Sequence, residues 1–193
     1  MIRAAPAHAI AVFGSSEPTT DSPAWREAYD VGRHLAEAGF VVVNGGYGGV
    51  MEASARGARE AGGRTIGVTT SAFATRAGAN PWIETERRER DLFERTRGLI
   101  EAASGFIVLH GRSGTLAELA LVWALHKAGL LGGKPILLVG RVWEDFLVQL
   151  RRLDLLDPAV LEVTELAAGP RQAVERLSGL LREAGPGRAV PPG

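Results

Sequence analysis

Three short segments gather glycine and hydroxyl residues at a density that chemistry can use. They are Gly14-Ser15-Ser16, Asn44-Gly45-Gly46-Tyr47-Gly48-Gly49 and His110-Gly111-Arg112-Ser113-Gly114-Thr115. Each follows an apolar run, and the second and third lead straight into a helical pattern. Glycine lets the backbone approach a ligand closely. A helix start adds unpaired N–H groups and the positive end of its dipole, which suits a phosphate. Ser113 and Thr115 add hydroxyl donors, and Arg112 adds a charge. Taken singly, each loop reads equally well as a tight turn. The second lacks the G-x-G-x-x-G dinucleotide spacing, and the third lacks the lysine of a P-loop. Their convergence on one sheet edge is what points to a small phosphorylated ligand.

Charged residues near these loops offer further chemistry. Glu118 lies four residues after Gly114, about one helical turn into the helix, so its carboxylate can face back toward the loop. An acid in the first turn also complements the helix dipole, and position alone does not separate the two roles. Arg95 sits in ERRERDLFERTRGLI, a run dense in charge. There Glu86, Glu89 and Arg90 fit solvent pairs at helical spacing, and spacing does not say which arginine reaches a crevice. The histidines His8, His34, His110 and His126 lack metal-ligand spacing, so no metal is expected. His110 stands apart because it opens the third loop. No serine elbow and no nucleophile beside a base is visible.

These residues need a scaffold. Apolar runs at 9–13, 40–44, 64–70, 105–110, 135–140 and 160–164 alternate with helical patterns at 23–38, 50–61, 86–103, 114–129, 143–152 and 170–184. Continuous rather than alternating apolar runs suit strands buried on both faces. The order predicts an α/β fold: a doubly wound, mostly parallel Rossmann-like sheet with helices on both faces. In such a sheet the strand ends share one edge, and ligands bind where the strand order reverses. The stretch 69–82 reads as a long loop leading to a short extended segment. Helix 114–129 is apolar nearly all round. It is either buried between the sheet and a partner or central in a monomer.

Composition narrows the function classes. The chain has 193 residues, 46% hydrophobic and 23% charged, with no cysteine and a formal net charge of zero. This length and composition suit one domain, placed at residues 1–184, with a flexible Gly/Pro-rich tail at 185–193. The missing cysteine excludes disulfides and a thiol nucleophile. Zero net charge gives no global field for nucleic acid or an anionic membrane, so neither is expected as a partner. A cytoplasmic location is expected. Arginine dominates the basic residues, leaving only Lys127 and Lys134. Both stand where a helix gives way to a strand, a poor place for the Schiff base of a pyridoxal-phosphate enzyme. No cofactor is expected.

Read together, GGYGGVMEA (45–53) and DLFERTRGLIEAASGFIVLHGRSGTLAEL (91–119) resemble the Lonely Guy (LOG) family, long labelled "possible lysine decarboxylases". The resemblance runs from about residue 9 to about 165. It implies a Rossmann-like fold, a homodimer, and hydrolysis of a nucleoside 5′-monophosphate, such as AMP or a cytokinin ribotide, to free base and ribose 5-phosphate. Asp91 and Arg95 match a DMHxRK-like stretch, and Gly111, Gly114, Thr115 and Glu118 match PGGxGTxxE. Gly45, Gly46, Gly49 and Met51 match the family's glycine loop, and Gly14, Ser15 and Ser16 its GSS turn. The resemblance implies that Arg95 and Glu118 are the catalytic pair and that the Gly-Thr loop holds the phosphate. The sequence departs from the pattern at His110, Arg112, Phe93 and Thr96, which stand where the family has Pro, Gly, His and Lys. The alternative is a non-catalytic carrier of a phosphorylated ligand, such as a molybdenum-cofactor carrier.

Overall fold

The computed structural model describes residues 8–73 and 78–183. The tail expected at 185–193 lies outside the described residues. Within them, seven strands form one sheet, and every neighbouring pair is parallel. The strands are β1 (Ala9–Phe13), β2 (Val41–Asn44), β3 (Arg64–Thr70), β4 (Thr85–Glu89), β5 (Gly105–Val108), β6 (Ile136–Val139) and β7 (Thr164–Ala167). Their spatial order is β4-β3-β2-β1-β5-β6-β7. The chain therefore winds outward in one direction through β4, returns to the middle and winds the other way from β5. The doubly wound α/β fold read from the sequence is the fold observed, and its switch point lies between β1 and β5.

Six helices cover the sheet: α1 (Pro23–Glu37), α2 (Val50–Glu60), α3 (Leu92–Ala102), α4 (Ser113–Lys127), α5 (Arg141–Arg152) and α6 (Pro170–Glu183). Strand residues point alternately to the two faces, and the core divides accordingly. Ile10, Val12, Val42 and Ile107 pack with Trp25, Leu35, Ala53 and Leu177 from α1, α2 and α6. Ala11, Phe13, Val43 and Phe106 pack with Leu99, Leu119, Val122 and Trp143 from α3, α4 and α5. Among the described residues no helix is long and apolar enough to cross a membrane.

Two elements differ from the sequence reading. The charged run expected to open a helix at 86 is instead strand β4, with α3 beginning at Leu92. As the outermost strand, β4 (TERRE) carries no buried residue, so apolar content could not reveal it. Its charges also discourage pairing with another sheet edge. Glu86 accepts a hydrogen bond from Thr69 Oγ1 at 2.6 Å, and Arg87 pairs with Glu89 at 2.9 Å. The apolar run at 160–164 is mostly a 3₁₀ turn, Pro158–Glu162, and the strand begins at Thr164.

Helices α1 and α2 meet with their backbones nearly touching. A Cβ on Gly32 would fall 1.9 Å from the Ser54 carbonyl oxygen, and one on Gly57 would fall 2.0 Å from that of Tyr29. In an isolated helix, glycine to alanine gains about 1 kcal/mol. Here the clash wins, because backbone cannot step aside as a side chain can. Gly32→Ala is expected to lower stability by roughly 1–3 kcal/mol. Urea denaturation of the variant against the parent checks the sign.

Candidate functional site

The site lies beyond the carboxyl ends of β1, β2 and β5, at the switch point. Residue 14 follows β1 directly, and residues 45–49 join β2 to α2. These two loops lock together. Val50 N donates to the Ser15 carbonyl at 2.9 Å, and Ser15 N donates to the His110 carbonyl at 3.2 Å. Gly49 has a φ of 68°, and a Cβ there would sit 2.5 Å from the Ser16 backbone. Only glycine meets both demands. Asn44 holds the second loop from within, donating to the Met51 carbonyl at 2.8 Å and accepting from Gly46 N at 2.9 Å.

The cavity beside these loops has a volume of about 710 Å³. That lies in the usual range for small-molecule sites, roughly 300–1,000 Å³. Its lining joins two kinds of group: Gly14, Ser15, Ser16, Glu17, Arg112, Ser113, Gly114 and Thr115 supply polar atoms, and Phe73, Leu92, Phe93, Ala117 and Leu121, with Tyr47 and Met51, supply apolar surface. No side chain caps the start of α4, so its first-turn N–H groups stay available there.

Arg95 and Glu118 both line the cavity and meet there. Arg95 rises from the first turn of α3, which Asp91 caps by accepting from Glu94 N at 2.8 Å. The guanidinium is 7% exposed as a residue, an unusual depth for arginine. Its Nε donates to the Val68 carbonyl at 2.9 Å, and its Cζ stands 5.6 Å over the Tyr47 ring. Its Nη1 reaches to 3.8 Å from Glu118 Oε1, an ion pair longer than a hydrogen bond. Among the described residues that is the only charged partner of Glu118. Burial raises the Glu118 carboxyl to about 7, with the Arg95 charge pulling the other way.

The structure brings eleven of the residues singled out in the sequence to this cavity: Gly14, Ser15, Ser16, Gly45, Met51, Arg95, Arg112, Ser113, Gly114, Thr115 and Glu118. Four others stand outside it and shape it. Gly46 and Gly49 bend the second loop with positive φ, Asp91 caps the helix of Arg95, and Gly111 packs against Thr115. Sequence reasoning passed over Tyr47, whose hydroxyl accepts from Thr70 N at 2.9 Å and donates to the Thr70 carbonyl at 3.2 Å. It also passed over Asn80, whose side chain donates to the Gly46 and Tyr47 carbonyls at 3.1 and 2.8 Å. Glu17 and Phe73 were missed as well. Tyr47 lay inside a motif already in hand, whereas the two carbonyls to which Asn80 donates are over thirty residues away in sequence.

The two lysines are elsewhere. Lys127 pairs with Asp157 at 2.6 Å, and Lys134 donates to the Ile100 carbonyl at 3.1 Å. The site therefore offers no amine for a Schiff base.

Comparison with known proteins fits this geometry. The family model described as the SLOG cluster4 family matches residues 7–146. A cytokinin riboside 5′-monophosphate phosphoribohydrolase of Mycobacterium tuberculosis is 33% identical over 133 residues, covering 67% of this chain and 69% of that protein. The molybdenum cofactor binding protein of Rippkaea orientalis superposes with a TM-score of 0.73 at 24% identity, covering 91% of this chain and 98% of its own. The molybdenum cofactor carrier protein of Chlamydomonas reinhardtii superposes with a TM-score of 0.71 at 23% identity, covering 92% and 99%. At those identities the two structures establish the shared fold.

The position of Glu118 makes stability depend on pH. Its folded value of about 7 lies above the ordinary 4.5. Between these values the folded protein holds a proton that the unfolded chain has released. Stability therefore falls as pH rises through that window, and the loss is complete above it. At about 1.4 kcal/mol per unit the loss is on the order of 3 kcal/mol. Glu118→Gln is expected to flatten this slope and to be the more stable protein at about pH 8, by roughly 2–3 kcal/mol. Urea titrations at about pH 5 and about pH 8 measure it, and an unchanged slope would assign the ionisation to another group.

Proposed function

The chain belongs to the SLOG cluster4 family, and on that premise we propose that its cavity binds a small phosphorylated ligand and retains it, as a binding or carrier protein does. The observation that carries this reading is the mixed lining of the cavity. Hydroxyl residues and Arg112 stand there beside the uncapped start of α4, and apolar and aromatic side chains complete the lining. A molecule that joins a phosphate to a flat apolar heterocycle matches both kinds of surface. Similarity in fold across nine-tenths of the chain to molybdenum-cofactor binding and carrier proteins supports retention. So do the sequence departures from the hydrolase pattern at Phe93, Thr96, His110 and Arg112.

One specific observation favours a second reading, hydrolysis. Arg95 and Glu118, both lining the cavity, stand 3.8 Å apart. Cleavage of an N-glycosidic bond develops positive charge at the ribosyl C1′. An ionised Glu118 beside that carbon would stabilise the charge and orient the water that adds to it. The leaving base takes up the proton that the water gives up. Arg95 keeps its own proton at all ordinary pH, so its part would be to hold the phosphate or the departing base. The relative from M. tuberculosis supports this reading.

Calorimetric titration with nucleoside 5′-monophosphates, run beside an assay for free base, separates the two. Retention predicts binding without base release, in wild type and in Glu118→Gln alike. Hydrolysis predicts base release that Glu118→Gln abolishes while binding persists. A cavity that takes up neither nucleoside monophosphates nor a phosphorylated pterin would overturn both.

The assembly is also a proposal. Leu116 and Leu121 of α4 are 37% and 40% exposed, and Phe93 of α3, which lines the cavity together with Leu121, is 85% exposed. Exposed apolar side chains of this size call for a cover, and a second copy of the chain would supply one. Light scattering is expected to give twice the chain mass of 20.4 kDa. Leu121→Arg is expected to give the single mass, and a monomeric wild type would refute the dimer.

A further inference from the structure

Two charges at the cavity are already engaged with each other. Arg112, at the residue before α4, places Nη1 2.7 Å from Oε1 of Glu17. Both residues line the cavity. Their side chains are 74% and 56% exposed, so the pair contributes little to the fold. Among the described residues neither side chain makes another hydrogen bond or ion pair. The backbone beneath them is nevertheless fixed. Glu17 N donates to Ser15 Oγ at 3.1 Å, and the carbonyl of Arg112 accepts from Leu116 N at 2.9 Å. A rigid turn thus presents one carboxylate to the one guanidinium beside the uncapped start of α4.

A carboxylate offers a guanidinium the same paired oxygens that a phosphate does. We propose that Glu17 is an internal competitor for the ligand's phosphate: it occupies Arg112 in the empty cavity and yields it on binding. Glu17 then sets a threshold. A singly charged anion gains little by displacing another singly charged group. A dianionic phosphate prevails because it also collects the N–H groups and the dipole of α4. Glu17 thereby selects for phosphomonoesters over carboxylates and other monoanions. This inference rests on the phosphate reading of the cavity. The competing role is a staple that joins two loops. Loss of a staple would weaken binding of every ligand, whereas loss of a competitor strengthens binding of phosphorylated ones alone.

The test uses the full chain as wild type, Glu17→Gln, Arg112→Gln and the double variant. Each is titrated calorimetrically with ribose 5-phosphate, and with ribose as the uncharged control. Glu17→Gln is expected to tighten ribose 5-phosphate by about 3- to 5-fold, the scale of an exposed ion pair. It should leave ribose unaffected, and the gain should shrink at about 0.5 M salt. Arg112→Gln is expected to weaken ribose 5-phosphate by about 10-fold. The double variant should match it, because no guanidinium remains to release. Wild type that binds ribose 5-phosphate while Glu17→Gln binds it equally or more weakly would sink the competitor and leave the phosphate reading standing. Failure of all four proteins to bind ribose 5-phosphate would remove the phosphate reading and the competitor with it.

Discussion

A guanidinium buried at the end of a parallel sheet is the constraint around which this site is arranged. Taking the charge of Arg95 out of water is expensive unless the surroundings replace the lost hydration. Three elements share that task. Strand β3 gives the Val68 carbonyl, the β2–α2 loop gives the face of Tyr47, and α4 gives Glu118. Tyr47 is itself anchored through the backbone N–H and carbonyl of Thr70 and through Asn80, and α3, which carries Arg95, is capped by Asp91. The 3.8 Å gap to Glu118 is too long for a hydrogen bond, and burial holds that carboxyl above its ordinary range. A buried carboxyl shifted in this way beside a cleft is a mark of functional sites.

The sheet and most of its helices were legible because burial on both faces writes itself into composition. Runs such as AIAVF and FVVVN have no polar side to display. At the start of α1, Ser22 accepts from Trp25 N and Pro23 takes the first helical position. Strand β4 was hidden by the reverse logic, since an edge strand facing solvent can be entirely charged, and its glutamates and arginines then mimic a helix surface. The candidate site was legible wherever glycine and hydroxyl residues clustered in one loop. It was illegible wherever a residue acts through partners distant in sequence, as Asn80 and Glu17 do. Spacing alone could not select Arg95 from its neighbours. The resemblance selected it, and the fold explains the choice: of that charged run, Arg95 is buried inside the sheet end while Arg87 and Arg90 pair with acids near the surface.

Helix α4 meets several surroundings at once, and its sequence reflects them. Its start has no capping side chain, so its first N–H groups are open. One face must fill the core through Leu119, Val122 and Trp123, while Glu118 faces the cavity. What remains is apolar and exposed. The amphipathic helices α1 and α2 have a single task, to pack against each other and the sheet, and their glycines allow the close approach. A helix that fills the core on one face and lines a cavity on another keeps little room for charge, and α4 carries only Glu118 and Lys127 as its acid and lysine. That is why its pattern looked buried all round.

Retention and hydrolysis draw on the same polar lining and differ in the state of one carboxyl. On either proposed reading, a dianionic phosphate at the start of α4 would place negative charge in the cavity that Glu118 lines. Like charge opposes ionisation, so such a ligand would reinforce what burial already does and favour the protonated acid. In that state the acid would hold the ligand by hydrogen bonding and stabilise no cation. Positive charge developing on a ligand would reverse the balance, since an adjacent cation draws the proton off. A ligand whose bonds cannot generate such a charge would then be held without being cut, and the two proposed readings would differ in the ligand rather than in the residues.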